Sequence, residues 1–229
     1  AISHCDSIQE GQMSAVITTV FAHNQATEDI AKRCMAATMA GPCDTRIAAI
    51  DLATPSLEQW LIDNRWVIVK LEDGSPPRMT ELLRVALDYV STPHVWTIEM
   101  DATIHPDTWD AMGNAMAHCN HLAGIESSAV NHKGRTTEPT QGRMAQCDAM
   151  PEFPEVLECD SISFSCCLWD TVALRSVDWP HVPALVKADS VLCAQLRSRG
   201  WRFGLHPVAE NTHIRRTSRK AYIDWRHLA

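Results

Sequence analysis

The chain has 229 residues, 45% of them hydrophobic and 21% charged, and a net charge of −8. That length buries one sizeable core, and the balance excludes extensive disorder. No apolar run reaches the roughly 20 residues of a membrane-spanning helix, the opening AISHCDSIQE has no signal-peptide pattern, and nine cysteines without a C-x-x-C pair read as reduced thiols, together predicting a cytoplasmic protein.

The first apolar run, residues 15–21, is short and β-branched and predicts a buried strand. Residues 27–40 read as a helix with Ile30, Cys34 and Thr38 four apart, closed by Gly41 as C-cap and by Pro42. A second strand over 46–50 ends on Asp51. Thr54 and Pro55 then open a helix as cap and first-turn proline, carrying Leu57, Trp60 and Leu61. Residues 66–69 make a third strand. A helix over 78–90 gathers Met79, Leu82, Leu83, Ala86, Leu87 and Val90 into one stripe, and a fourth strand follows at 95–98. This alternation predicts an α/β fold, a mostly parallel sheet wound with helices. Such sheets take ligands at the carboxyl ends of their strands, which singles out Asp51 and the Glu99–Asp101 stretch.

A further helix spans 107–122, with Trp109, Met112, Met116 and Cys119 on one face. Residues 126–160 are polar and aperiodic and read as strands and loops inserted into the sheet, a setting for substrate contacts. An apolar pattern resumes over 161–174. Residues 189–199 form a helix stopped by Gly200, and 201–205 a last short strand.

The strongest chemical constellation is VWTIEMDATIHPDTW. Spaced i and i+2 in extended chain, Glu99 and Asp101 share one side. Two acids there are costly unless a cation neutralises them, and hard oxygen donors suit Mg²⁺ or Mn²⁺ bridging to a diphosphate. Two ordinary acids on a solvated loop are the alternative. His118, Cys119 and His121 share a helix without a distant partner and read as incidental, and Cys166-Cys167 beside Trp169 read as packing. No G-x-S-x-G, Walker loop or G-x-G-x-x-G is present, which disfavours hydrolase, kinase and dinucleotide-binding readings.

The order of these pieces resembles the GT-A fold glycosyltransferases, in particular the large family two group. The apolar strand ending in Glu99-Met100-Asp101, followed by Pro106 and a helix, is similar to that group's D-x-D motif. SAVITTVFAHN and TRIAAIDLA look like its first two strands, KADSVLCAQLRSRGWRF like its E-D-x-x-L stretch, and GLHPVAENTHIRR like its closing strand and His. The likeness runs from about Ser14 to Arg216. Departures are Glu99 where Asp is commoner, Ala188 in place of the Glu of E-D, and Leu52-Ala53-Thr54 where D-G-S is usual after the second strand's acid.

The resemblance implies a single domain, with a nucleotide-sugar-binding half over about 14–125, an acceptor and catalytic half over about 126–214, and a basic tail over 215–229. It implies a nucleoside diphosphate sugar as donor, a uridine one above all, and a hydroxyl acceptor. Asp51 would accept a hydrogen bond from the base, or stand as a plain acid before the Thr54 cap. Arg78 would reach phosphate, or be a solvated first-turn arginine. Asp101 would be the principal metal ligand, Glu99 would contact the ribose or, through water, the metal, and His213 would join the metal ligands in closing the metal or diphosphate site from the C-terminal side, with Arg215 and Arg216 facing the diphosphate. Asp189 would be the base of an inverting transfer, a role in conflict with capping its helix, since a capping carboxylate is a poorer base. The missing Glu at Ala188 admits a catalytically silent sugar-nucleotide-binding module. The tail, +4 on a chain whose remaining 214 residues carry −12, admits a hydroxylated base in nucleic acid as acceptor, with Arg219, Lys220, Arg226, Tyr222 and Trp225 taking part.

Overall fold

The structure is a computed structural model that describes residues 14–71, 79–131, 148–184 and 187–214. The first half alternates strand and helix: β1 (Ser14–Phe21), α1 (Gln25–Thr38), β2 (Cys43–Leu52), α2 (Pro55–Asp63), β3 (Val67–Val69), α3 (Met79–Ala86) and β4 (His94–Glu99). The second half holds β5 (Ala102–Ile104), α4 (Pro106–His118), β6 (Leu122–Asn131), β7 (Ala149–Met150), β8 (Phe153–Cys159), β9 (Cys166–Asp170), α5 (Thr171–Arg175), α6 (Ala188–Arg197) and β10 (Arg202–His213).

All strands join one sheet in the order β3-β2-β1-β4-β9-β6-β10-β8-β7, with β5 pairing β10 off this path. β1, β2, β3 and β4 are mutually parallel, as helix crossovers require. β9 then enters antiparallel between β4 and β6, and β6 and β10 run parallel beyond it. Each strand of the parallel half buries both faces, so Val16 and Val20 enter one core and Ala15 and Ile17 the other. Helices α1, α2 and α4 cover the first face, and α3, α5 and α6 the second. Among the described residues no helix is long and apolar enough to cross a membrane.

The helix starts follow their caps. Asn24 accepts from the Thr27 amide at 3.0 Å while the Thr27 hydroxyl accepts from the Asn24 amide at 3.1 Å, so α1 begins before residue 27. Thr54 caps α2 as expected, accepting from the Leu57 amide at 3.1 Å. The same hydroxyl donates to Glu28, which is buried on α1 and also takes Lys32 Nζ at 2.5 Å and Ser56 Oγ at 2.8 Å. These donors hold the Glu28 carboxyl down at about 2, the bonds to Lys32 and Thr54 contributing most. A carboxylate depressed in the folded state stabilises above its unfolded pKa and loses that contribution as pH falls toward the folded value. Glu28→Gln is therefore expected to cost about 2 kcal/mol at pH 7, and the difference to shrink steadily between pH 4.5 and 2. Urea unfolding across that range measures it; a gap that does not change with pH would remove the ionised carboxylate from the α1–α2 contact.

One glycine differs from its sequence reading. Gly41 is not a left-handed cap, since α1 ends at Met39 in right-handed geometry and Gly200 is the glycine with positive φ among the described residues. Gly41 is there because a Cβ would lie 2.4 Å from the Trp109 ring, which stands edge-on to Trp96 at 4.5 Å. Gly124 on β6 makes a similar allowance, its Cβ position lying 2.7 Å from both Trp169 and Ile162. Trp169 cannot retreat, being fully buried and donating its indole N–H to Thr97 Oγ1 at 2.8 Å. Gly124→Ala is expected to destabilise by about 2 to 3 kcal/mol through overpacking, with thermal unfolding as the measure. An unchanged midpoint would mean that the indole has room to move.

The last strand is longer than the predicted 201–205. β10 reaches His213 because it continues across a bulge: His206 and Glu210 oppose the consecutive residues Ser127 and Ser128, and 207–209 loop out. Pro207 lacks the N–H a ladder needs, so the sequence stops the strand where the structure only interrupts it. Before the bulge β10 pairs with β8, and after it with β5.

Candidate functional site

The carboxyl ends of β2, β1 and β4 lie side by side. Phe21 opposes Leu52 and Thr19 opposes Glu99, which brings Asp51 and the Glu99–Asp101 stretch to one end of the sheet. Glu99 closes β4, and the chain turns at Met100 and Asp101 before β5. The turn therefore sets the relative placement of the two acids, and the alternation of extended chain does not apply to them. Three backbone contacts hold it: the Met100 amide donates to the Thr19 carbonyl at 3.2 Å, the Glu99 amide to Ser165 at 2.9 Å, and the Ile214 amide to the Asp101 carbonyl at 2.9 Å. Asp101 is 5% exposed, while Glu99 and Asp51 are half-buried.

The post-bulge part of β10 closes this turn from the other side, with His213 opposite Ala102 in the β5 ladder. The backbone thus brings position 213 next to Asp101. The His213 side chain, Arg78, Arg215, Arg216 and the rest of the tail lie outside the described residues. Among the described residues no three His, Cys, Asp or Glu side chains converge to hold a metal, and His118, Cys119 and His121 do not gather into one.

Asp189 does not cap α6, contrary to the sequence expectation. Lys187 takes the cap position in left-handed geometry (φ 64°) with no side-chain cap, and Asp189 sits in the first turn with Oδ1 accepting from the Ser190 amide at 2.8 Å. Ala188 is 1% exposed and packs into the core under α6, so the missing Glu has a steric reason.

One acid was not singled out from the sequence. Glu126, on β6 and 9% exposed, accepts from the Ser163 hydroxyl at 2.6 Å and from the Ser163 amide at 3.1 Å. Burial pushes its carboxyl above the usual range against the pull of these bonds, and the charges of Asp189 and Glu99 push it further. Glu126 is therefore within electrostatic reach of Asp189 and Glu99, two of the acids the sequence did single out. A charge ending the apolar LAGIE and the alternation in SISFS were the available signals.

Glu99 and the nearly buried Asp101 carry hard oxygen donors of the kind that suit a divalent cation such as Mn²⁺ or Mg²⁺. Their negative charge reaches the thiols nearby. Burial and then the charge of Asp101 raise Cys34 to about 11, and burial with Glu126 and Glu99 raises Cys166 to about 12. A cation bound beside these acids would relieve this repulsion.

The fold that carries the site is the GT-A type of glycosyltransferases. The solved structures it matches include GalNAc-T7 with UDP, GalNAc and Mn²⁺, at a TM-score of 0.67 and 8% identity over 92% of this chain and 45% of that one. S. aureus TarS 1-349 matches at 0.64 and 14% identity over 88% of this chain and 60% of its own, and a second TarS structure equally well over 36% of its own. The chain thus spans from about a third to three fifths of the length of these proteins. No family profile matches the sequence, and no curated protein matches it.

Proposed function

We propose that the chain is a glycosyltransferase that moves a sugar from a nucleoside diphosphate sugar, a uridine one in the first instance, to an acceptor hydroxyl with inversion. What supports this is Asp51 and the Glu99–Asp101 turn at one end of a GT-A sheet, with Asp189 in the first turn of α6 and both Asp189 and Glu99 within electrostatic reach of Glu126. GalNAc-T7, with the same fold, holds UDP, GalNAc and Mn²⁺.

In this reading Asp51 accepts a hydrogen bond from the nucleotide base at the end of β2. Glu99 and Asp101 would hold Mn²⁺ or Mg²⁺, which would supply positive charge against that of the diphosphate leaving group. Asp189 takes the proton of the acceptor hydroxyl as its oxygen bonds to the anomeric carbon, and the carbon–phosphate oxygen bond breaks with its electron pair leaving on the nucleotide. Sitting in the first turn without serving as the cap, Asp189 can do this while its other oxygen keeps the Ser190 amide.

A thermal-shift screen of nucleotides and nucleotide sugars, with and without Mn²⁺, tests the reading. A ligand at 100 times its dissociation constant raises stability by roughly 2.7 kcal/mol, a clear shift. Metal-dependent stabilisation by a uridine nucleotide is the expected result, and no stabilisation by any nucleotide sugar overturns it. Donor binding without transfer to any hydroxyl would instead make this a silent binding module.

A further inference from the structure

The Glu126 carboxyl begins a hydrogen-bonded chain. Its oxygens take the hydroxyl and amide of Ser163, and Ser163 Oγ meets Ser165 Oγ at 2.7 Å and the Ser165 amide at 3.2 Å. The Ser165 carbonyl then takes the Glu99 amide at 2.9 Å. The same segment touches α6, where Cys193 Sγ donates to the Ile162 carbonyl at 3.6 Å. One buried carboxyl is therefore linked to the acid-bearing turn on one side and to the helix of Asp189 on the other.

Stability alone gives no reason for an acid here. Its partners are two donors of a single serine, its neighbours Asp189 and Glu99 repel its charge, and a buried carboxylate is costly unless well paired. A group kept in an unfavourable place is a mark of function.

We propose that Glu126 is a positioning residue of the transfer site, which through Ser163 and Ser165 fixes the backbone of Glu99 relative to α6. The inference rests on the transfer reading above and concerns a residue that neither donor nor acceptor need touch. Glutamine in its place keeps the chain intact: its carbonyl accepts from the Ser163 amide, and its NH₂ donates to Ser163 Oγ, which turns its own hydroxyl to Ser165. Alanine cuts the chain at its start.

Two measurements test this on the full chain. First, amide hydrogen exchange at Glu99, read without any substrate, is expected to speed at least about tenfold in Glu126→Ala and in Ser163→Ala and to stay near native in Glu126→Gln. Second, with Mn²⁺ and a uridine diphosphate sugar, both alanine variants are expected to lose at least about tenfold in kcat with donor KM within threefold, while Gln keeps at least a third of kcat. The double alanine variant loses no more than the worse single one, because both cut the same chain. Ser163→Ala leaves the carboxyl its amide bond and serves if Glu126→Ala fails to fold. Unchanged exchange at Glu99 overturns the inference, as does a lowered melting temperature with unchanged kcat. A native chain inert toward every donor overturns the transfer reading, and the exchange data still decide the positioning claim.

Discussion

Asp189→Asn is expected to bind donor as the native chain does and to transfer sugar at least about 100-fold more slowly, within the range that loss of a general base produces. The substitution is mild for the fold. An Asn Oδ1 still accepts the Ser190 amide, and the start of α6 is set by the Lys187 backbone, which no side chain caps. What disappears is the ability to take a proton. Release of the nucleotide in the presence of acceptor measures transfer, and calorimetry measures donor affinity. A near-native rate would leave Asp189 with only its favourable charge at a helix N-terminus, worth a few tenths of a kcal/mol.

Asp101→Ala has its largest effect on donor binding. With Mn²⁺ present, affinity for uridine diphosphate is expected to fall about 100-fold, about 2.7 kcal/mol, and to match the metal-free value of the native chain. The turn itself should persist, because Asp101 is tied to Ile214 through its carbonyl and Ala102 remains opposite His213. Asp101→Asn, which keeps an oxygen and loses the charge, should fall between. Titration calorimetry with and without metal decides. Equal, metal-independent binding by the native and alanine chains would remove the metal from Asp101.

The first half of the fold was legible because its determinants are local. Short, continuous apolar runs mark β1 and β4, the Thr54-Pro55 start marks α2, and a single apolar stripe marks α3. The same holds for Asp51, Glu99 and Asp101, whose place follows from lying at strand ends. The misreadings share another cause. Gly41 owes its identity to Trp109, far along the chain, and a C-cap is the local signal that imitates it. Pro207 reads as a terminator because a one-dimensional pattern cannot show a strand resuming beyond a bulge. The cap of α6 lies in the left-handed backbone of Lys187, a conformation its side chain does not announce. Glu126 stayed hidden because its partner is 37 positions away. Roles that depend on contact order are the ones sequence patterns lose.

The closure of the acid turn by β10 has a consequence for the chain as it is made. Thr108 and Glu210, which meet where β10 crosses the start of α4, are 102 positions apart, and Asp101 meets Ile214 across a similar span. During synthesis the parallel half of the sheet can form from neighbouring segments, while the turn that bears Glu99 and Asp101 waits for a strand roughly a hundred residues later. A growing chain therefore acquires its parallel sheet before its acid turn is closed. On the proposed reading, nucleotide added to a translating population should protect chains that extend past β10 and leave shorter nascent ones unprotected, so the capacity to bind would arrive late and all at once.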